Sequence, residues 1–480
     1  MAEKPEYLDY DPVTRPRRRG GLDEEQVESG FKPRASYPQF DTPLQDKVTD
    51  SQNTNSSGNS TPKQGTGSLA SSQVSASRGR EFSSILKRGH ALSFAGVFLF
   101  TVIVYFRPYE LTPALSWLSS SAFWIAVATI AVFLPTQLGL EGNLTTRTRE
   151  VNLVLLLTLA VALSIPFALS REAALTSFGD YLKVVVIFVV MVNVVRTNKR
   201  LKALLLLALT ASCFLSLAAL NDYRLGNLAL EGRRISGSIG GIFANPNDLA
   251  LHLVTMTPLA IALLLATRSL LKKFLYAVCA ALFVMAIVAT FSRGGVIGLV
   301  VASFVMAMKF TRKLRVFMVG AFLALVLVGL AFSPGGFRER IFTTSDQSAV
   351  SRTDDLKRSI YLAIRHPLLG VGLNNFVLYS NQAKATHNAY TQVAAETGLA
   401  AAVFYVLFLV APLKPLRRIE RENLSEKKKP AAYYLAIGLQ ASLVGYMISS
   451  FFASVAFLWY AYYLVAYAIA LRRIYDSSRV

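Results

Sequence analysis

The chain has 480 residues, 53% of them hydrophobic and 16% charged, with a formal net charge of +21 and a mean hydropathy of +0.42. That apolar share exceeds what one soluble core can hide, which excludes a soluble single-domain enzyme. About twelve helices of about 20 residues each would occupy half the chain, so the composition describes an all-α polytopic membrane protein.

Residues 1–90 stand apart from this pattern. They carry 13 Lys/Arg against 12 Asp/Glu, and 51–76 is a Ser/Asn/Gly/Gln tract with too little apolar surface to offset the entropy of ordering it. The segment reads as a disordered cytoplasmic tail. Arg17, Arg18 and Arg19 raise the alternative of a nucleic-acid arm, but Asp23, Glu24 and Glu25 cancel that charge locally, and no nucleic-acid partner is expected. No apolar run lies near Met1, so a cleavable signal peptide is not expected and the first span directs insertion.

Residues 91–475 form the transmembrane domain. Apolar runs at 91–106, 121–137, 151–168, 180–196, 201–220, 247–266, 273–290, 295–309, 315–332, 397–413, 431–451 and 455–471 predict twelve spans. With the tail cytoplasmic, the links on that side hold 23 Lys/Arg against 6 Asp/Glu, whereas the opposite side and its borders hold 14 against 11. The positive-inside rule is met at alternate links with both termini inside. Arg224, Arg233, Arg234 and Arg293 break the trend by falling in external links. Singly, each could snorkel to lipid phosphate. Converging on one face, they fit an anionic ligand better, because guanidinium grips phosphate in a bidentate fork and keeps its charge.

The external loop 333–396 has structure of its own. Leu356, Ile360, Ala363 and Ile364 recur at helical spacing and Pro367 closes the pattern, predicting an amphipathic helix on or over the membrane face. HPLLGVGLNNF (366–376) follows, with Gly370 and Gly372 permitting tight turns; its GVG is too short and wrongly flanked for a phosphate-binding fingerprint.

Of four histidines, His90 borders the tail, and His252, inside the sixth span, reads as a packing or hydrogen-bonding group. No HExxH or metal-spaced pair occurs, so no metal site is expected. Cys213 and Cys279 lie in apolar runs without a CxxC, which supports packed or lipid-facing thiols and no disulfide framework. His387 lies on the external face beside Asn388, as either a capping or solvent-facing imidazole or a base for an incoming hydroxyl. In GIFANPNDLALHL, Asn245 is an N-cap, Pro246 the first helical residue and Asp248 a first-turn carboxylate. Such a helix start beside Arg233 and Arg234 would also favour an anion.

RRISGSIGGIFANPNDLA (233–250), FSRGG (291–295), SRTDDLKRSIYLAIRHPLLGVGLNNF (351–376) and HNAYTQVAAETGL (387–399), in this order and separated by spans, resemble the O-antigen ligase and polymerase superfamily of bacterial membrane glycosyltransferases. The resemblance covers about 91–475. It implies a GT-C-like helical enzyme of the bacterial inner membrane, active on its external, periplasmic face. Such an enzyme moves a glycan from a polyprenyl-pyrophosphate carrier, of the undecaprenyl kind, to a hydroxyl acceptor, without metal, nucleotide or other cofactor. The partners implied are that lipid-linked donor, an acceptor on glycolipid (as in lipopolysaccharide), glycan or protein, and membrane lipid. Carried over by motif, Arg234, Arg293 and His387 are the catalytic residues. Arg233, Arg352, Asn245 and Asn388 are substrate-binding; Arg233 and Arg234 compete for one position. The superfamily also implies alternatives: a glycan polymerase, a protein O-oligosaccharyltransferase, or a transporter of the inorganic-carbon type. The transporter would need ionisable groups along a path through the membrane, and here mid-span charges are scarce.

Overall fold

A computed structural model describes residues 89–111, 113–230, 234–235, 243, 245–316, 319–320, 323–324, 347–380 and 385–479. Residues 1–88 of the tail, 333–346 of the external loop and Arg233 lie outside the described residues, as does most of the expected span 315–332.

The described chain is almost entirely helical. In order come α1 (Gly89–Phe106), α2 (Ser121–Glu141), α3 (Arg149–Ser164), α4 (Arg171–Val194) and α5 (Asn198–Leu225). A small antiparallel hairpin follows, β1 (Leu228–Leu230) and β2 (Arg234–Ile235), pairing Leu228 with Ile235 and Leu230 with Arg234. Then come α6 (Pro246–Ala266), α7 (Leu270–Ala289), α8 (Arg293–Met308), α9 (Gln347–Arg365), α10 (Ala389–Thr397), α11 (Leu399–Val410), α12 (Leu413–Glu422), α13 (Ala431–Ser449) and α14 (Trp459–Ser477). The starts are chemically marked. Thr148, Ser170, Thr197, Asn245, Ser292 and Asn388 each accept a first-turn backbone N–H through the side-chain oxygen.

Among the described residues, nine helical stretches are long and apolar enough to cross a membrane, so this is a multi-pass membrane protein. Two of the twelve expected spans fall short for physical reasons. Helix α8 is apolar but has only 16 residues. Helix α14 contains Arg472, Arg473 and Asp476 as well as several tyrosines, which lowers its hydropathy; it runs inside the bundle with nearly every other side chain buried, so it does not need a lipid-compatible surface. The expected span 397–413 reaches further than its apolar run: α11 and α12 continue as one helical stretch to Glu422. Helix α1 begins at Gly89, and His90 is buried with Nε2 3.1 Å from the Asn193 carbonyl oxygen.

Helix α6 lies at the centre, packed on α7, α8 and α13, while α14 fills the space beside α4, α5 and α13. His252 of α6 lies 2.9 Å from the Ser212 hydroxyl, as its packing reading requires. Cys213 of α5 and Cys279 of α7 face each other as free thiols 3.1 Å apart.

The amphipathic loop helix is α9. Its apolar stripe of Leu356, Ile360 and Ile364 stays exposed, Ile364 by 72%, while Asp355, Ser359, Leu362 and Ala363 are packed inward. An uncovered apolar stripe over a polar, hydrogen-bonded underside is the pattern of a helix lying in an apolar layer.

Candidate functional site

Up-and-down threading brings the starts of α6, α8 and α10 to one end of the bundle, and hydrogen bonds tie them together. The Ser292 hydroxyl donates to Asn247 Oδ1 over 3.0 Å, joining FSRGG to FANPN. The Ser449 hydroxyl, at the end of α13, donates to the Gly294 carbonyl over 3.3 Å. A Cβ added to Gly294 would sit 2.5 Å from Phe452 Cβ, so only glycine allows this approach. Past α13, the Ser454 hydroxyl accepts the His387 backbone N–H at 2.8 Å and lies 3.0 Å from the Thr386 hydroxyl. Tyr390 donates its phenol to the Met447 carbonyl at 2.7 Å. The segment 447–454 therefore holds FSRGG on one side and HNAY on the other.

Each of the three motifs is also a helix N-terminus. Asn245 caps α6, Ser292 caps α8, and Asn388 caps α10 with bonds of 2.9 and 3.1 Å from Tyr390 and Thr391 N–H. Unsatisfied N–H groups and helix dipoles give each such end a partial positive charge. Joined through Asn247, Ser292 and the 447–454 segment, they make one end of the bundle electropositive before any side-chain charge is counted. Arg293 is the first residue of α8, so its charge adds to that field.

HPLLGVGLNNF packs on the C-terminal end of α10. Val371 N–H donates to Ala395 O and Gly372 N–H to Glu396 O, both at 2.9 Å, and Leu399 N–H donates to Pro367 O at 2.8 Å. Gly370, at φ +64°, passes so close to Glu396 that a Cβ would come within 2.4 Å of its carbonyl carbon. Asn375 fastens the far side, accepting Ser170 N–H at 2.7 Å and donating to Ser170 O at 3.1 Å. Glu396 is buried beneath this loop; burial pushes its carboxyl up to about 7, opposed by hydrogen bonds from the Asn374 and Phe376 backbone and from Gln392.

Backbone strain gathers here too. Four described non-glycine residues have φ between 43° and 57°, and three of them are Phe291 in FSRGG, Asn374 in GLNNF and His387 in HNAY. Left-handed backbone at non-glycine residues persists only where surrounding contacts enforce it, and it concentrates at functional sites.

Of the residues singled out from sequence, Arg293, His387, Asn388 and Asn245 reach this one end. The His387 ring is half-buried, Asn388 is buried and Asn245 is exposed. Arg352 lies in the second turn of α9, half-buried. The Arg234 backbone is in β2, which lies against α5; its side chain and all of Arg233 fall outside the described residues. Ser292, Asn247, Ser449 and Ser454 join the motifs and were not found by sequence reasoning. Ser292 and Asn247 lie inside the quoted motifs FSRGG and FANPNDLA, and the only signal for Ser449 and Ser454 was the hydroxyl-rich run SSFFAS at the end of the span 431–451. Among the described residues, no three His, Cys, Asp or Glu side chains gather as a metal-binding group.

The family model described as O-antigen ligase matches residues 277–406, which takes in FSRGG, the loop helix, HPLLGVG and HNAY. The match supports membership of the chain in the O-antigen ligase superfamily, and with it a membrane role in glycan transfer or polymerisation for cell-surface polysaccharide synthesis. No curated protein matches the chain.

Proposed function

We propose that the protein transfers a glycan from a polyprenyl-pyrophosphate carrier to a hydroxyl acceptor at the end of the bundle where FANPN, FSRGG and HNAY meet. The observation that carries this reading is the joining of three capped helix N-termini around Arg293 and His387. Such an end suits a diphosphate, whose charge grows as it leaves. The excess of Lys and Arg at the opposite end supports a cytoplasmic position for that end and for both chain termini, and with it a site on the outer face of a bacterial cytoplasmic membrane.

In the reaction, the acceptor oxygen forms a bond to the anomeric carbon as the bond from that carbon to the carrier phosphate breaks. The electron pair leaves with the diphosphate, where Arg293 and Arg234 offset its charge and Arg233 and Arg352 help hold the donor. The acceptor proton passes to the His387 imidazole. Asn245 and Asn388 keep the two helix starts aimed at the substrate through their caps. Burial beneath the apolar carrier limits competition from water.

The test is the profile of lipid-linked glycans in cells lacking the protein. Accumulated long glycan on the carrier marks failed ligation, and accumulated single units mark failed polymerisation; either supports transfer from a lipid pyrophosphate. A profile unchanged from the parent would refute it.

A further inference from the structure

The opposite end of the bundle holds a second cationic feature that glycan transfer does not use. Where α12 meets α14, a cavity of 570 Å³ is lined by Lys414, Arg417, Arg418, Arg421 and Arg472, with Glu422 the single carboxylate. That volume falls within the roughly 300–1,000 Å³ of small-ligand sites. Lys414, Arg417, Arg418 and Arg421 follow the i, i+3, i+4, i+7 spacing of one helical face, while Leu416 and Ile419 are buried on the other. Arg472 is fixed at the floor by two bonds to Glu150, of 2.9 and 3.2 Å. Arg418 is engaged by Glu422 and Asp476. Lys414, Arg417 and Arg421 are exposed and have no carboxylate partner among the described residues.

The chemistry leading up to the cavity identifies the kind of anion. Along α11, Val403, Val406 and Val410 form an exposed apolar stripe, and at the same three-to-four-residue spacing the stripe continues into Lys414, Arg417 and Arg421. A surface that is apolar for about two turns and then cationic matches an amphiphile, with an acyl chain along the valines and a negative headgroup on the cations. A soluble anion would make no use of the valines. We propose that this cavity binds the phosphate headgroup of an anionic glycerophospholipid, a site separate from the one assigned to the glycan donor. Basic pockets at the cytoplasmic ends of transmembrane helices are suited to such headgroups, and guanidinium suits their phosphate oxygens.

The test uses the full-length protein in detergent, offered phosphatidylglycerol or phosphatidylcholine of matched acyl chains, with retained lipid counted by native mass spectrometry. The parent protein should retain phosphatidylglycerol over phosphatidylcholine by about tenfold or more. The triple variant Lys414→Gln/Arg417→Gln/Arg421→Gln should lose that preference while keeping its melting temperature. If the triple variant fails to fold, Arg417→Gln alone should show a smaller loss of the same sign. Millimolar inorganic phosphate should leave the bound lipid in place. Equal retention of the two lipids, an unchanged preference in the folded variants, or displacement by inorganic phosphate would each overturn the proposal, the last by pointing to a soluble anion.

Discussion

The two ends of the bundle are held by different chemistry. At the basic end, carboxylates clamp cations from distant helices: Glu150 holds Arg472, Glu141 holds Arg196, and Glu420 accepts from Lys309 at 2.6 Å and from Gln440 at 2.8 Å. At the motif end, the contacts described between the three sequence motifs include the hydroxyls of Ser292, Ser449 and Ser454, the amide of Asn247 and a run of backbone bonds, all neutral groups. An ionic clamp fixes helices, but it cancels the charge it uses. Neutral joints hold the helix starts in register and leave their positive ends available to an anionic substrate.

That division of labour can be broken at either end. The largest effect on chemistry is expected from Arg293→Ala and His387→Ala, each lowering glycan transfer in isolated membranes by about a hundredfold or more with normal membrane abundance. Arg234→Ala should behave alike. At the basic end, Glu150→Gln should strip Arg472 of a nearly buried partner and cost about 3–5 kcal/mol, read as a lower midpoint in detergent unfolding. The transfer rate per folded molecule should stay near that of the parent. A Glu150→Gln protein that lost rate but kept its midpoint would erase the contrast between the ends.

Glu396, at the C-terminal end of α10, gives a pH signature. Its folded carboxyl is pushed up to about 7, against about 4.3 when the chain is unfolded. Between those values the folded state holds a proton that the unfolded state does not. Its contribution is therefore fully present below about pH 4.3, declines as pH rises, and is gone above about pH 7, amounting to about 4 kcal/mol. Glu396→Gln should flatten this part of the stability profile relative to the parent, measured by unfolding across pH 4 to 8. The smallest effect is expected from Ser454→Ala, which removes the acceptor of the His387 N–H. It should slow transfer by about tenfold, as expected for one lost buried hydrogen bond, without moving the pH profile.

The sequence carried the helical architecture because lipid-facing spans must be apolar along their length, and the caps at Asn245 and Asn388 are written in local residue types. The loop helix was legible from its stripe, although the structure turns that stripe outward and packs Asp355 and Ser359 inward, with Ser380 donating to Asp355 at 3.0 Å. Helix α14 was harder to place as a central element because its tyrosines resemble an interfacial belt until their burial is known. The serines of 449–454 had only the hydroxyl-rich run SSFFAS as a signal. A hydroxyl at the end of an apolar run meets its partner only after helices far apart in the chain have packed, and the Cys213 and Cys279 pair was hidden for the same reason. Family motifs marked Arg293 and His387; the contacts that hold them are properties of the fold.

The most direct measurement is transfer of a labelled glycan from a synthetic polyprenyl-pyrophosphate donor to a hydroxyl acceptor by the purified protein in lipid vesicles. Transfer by the parent, with loss in Arg293→Ala and His387→Ala at unchanged melting temperature, is the expected result. No transfer by the parent, or full transfer by both variants, would contradict it.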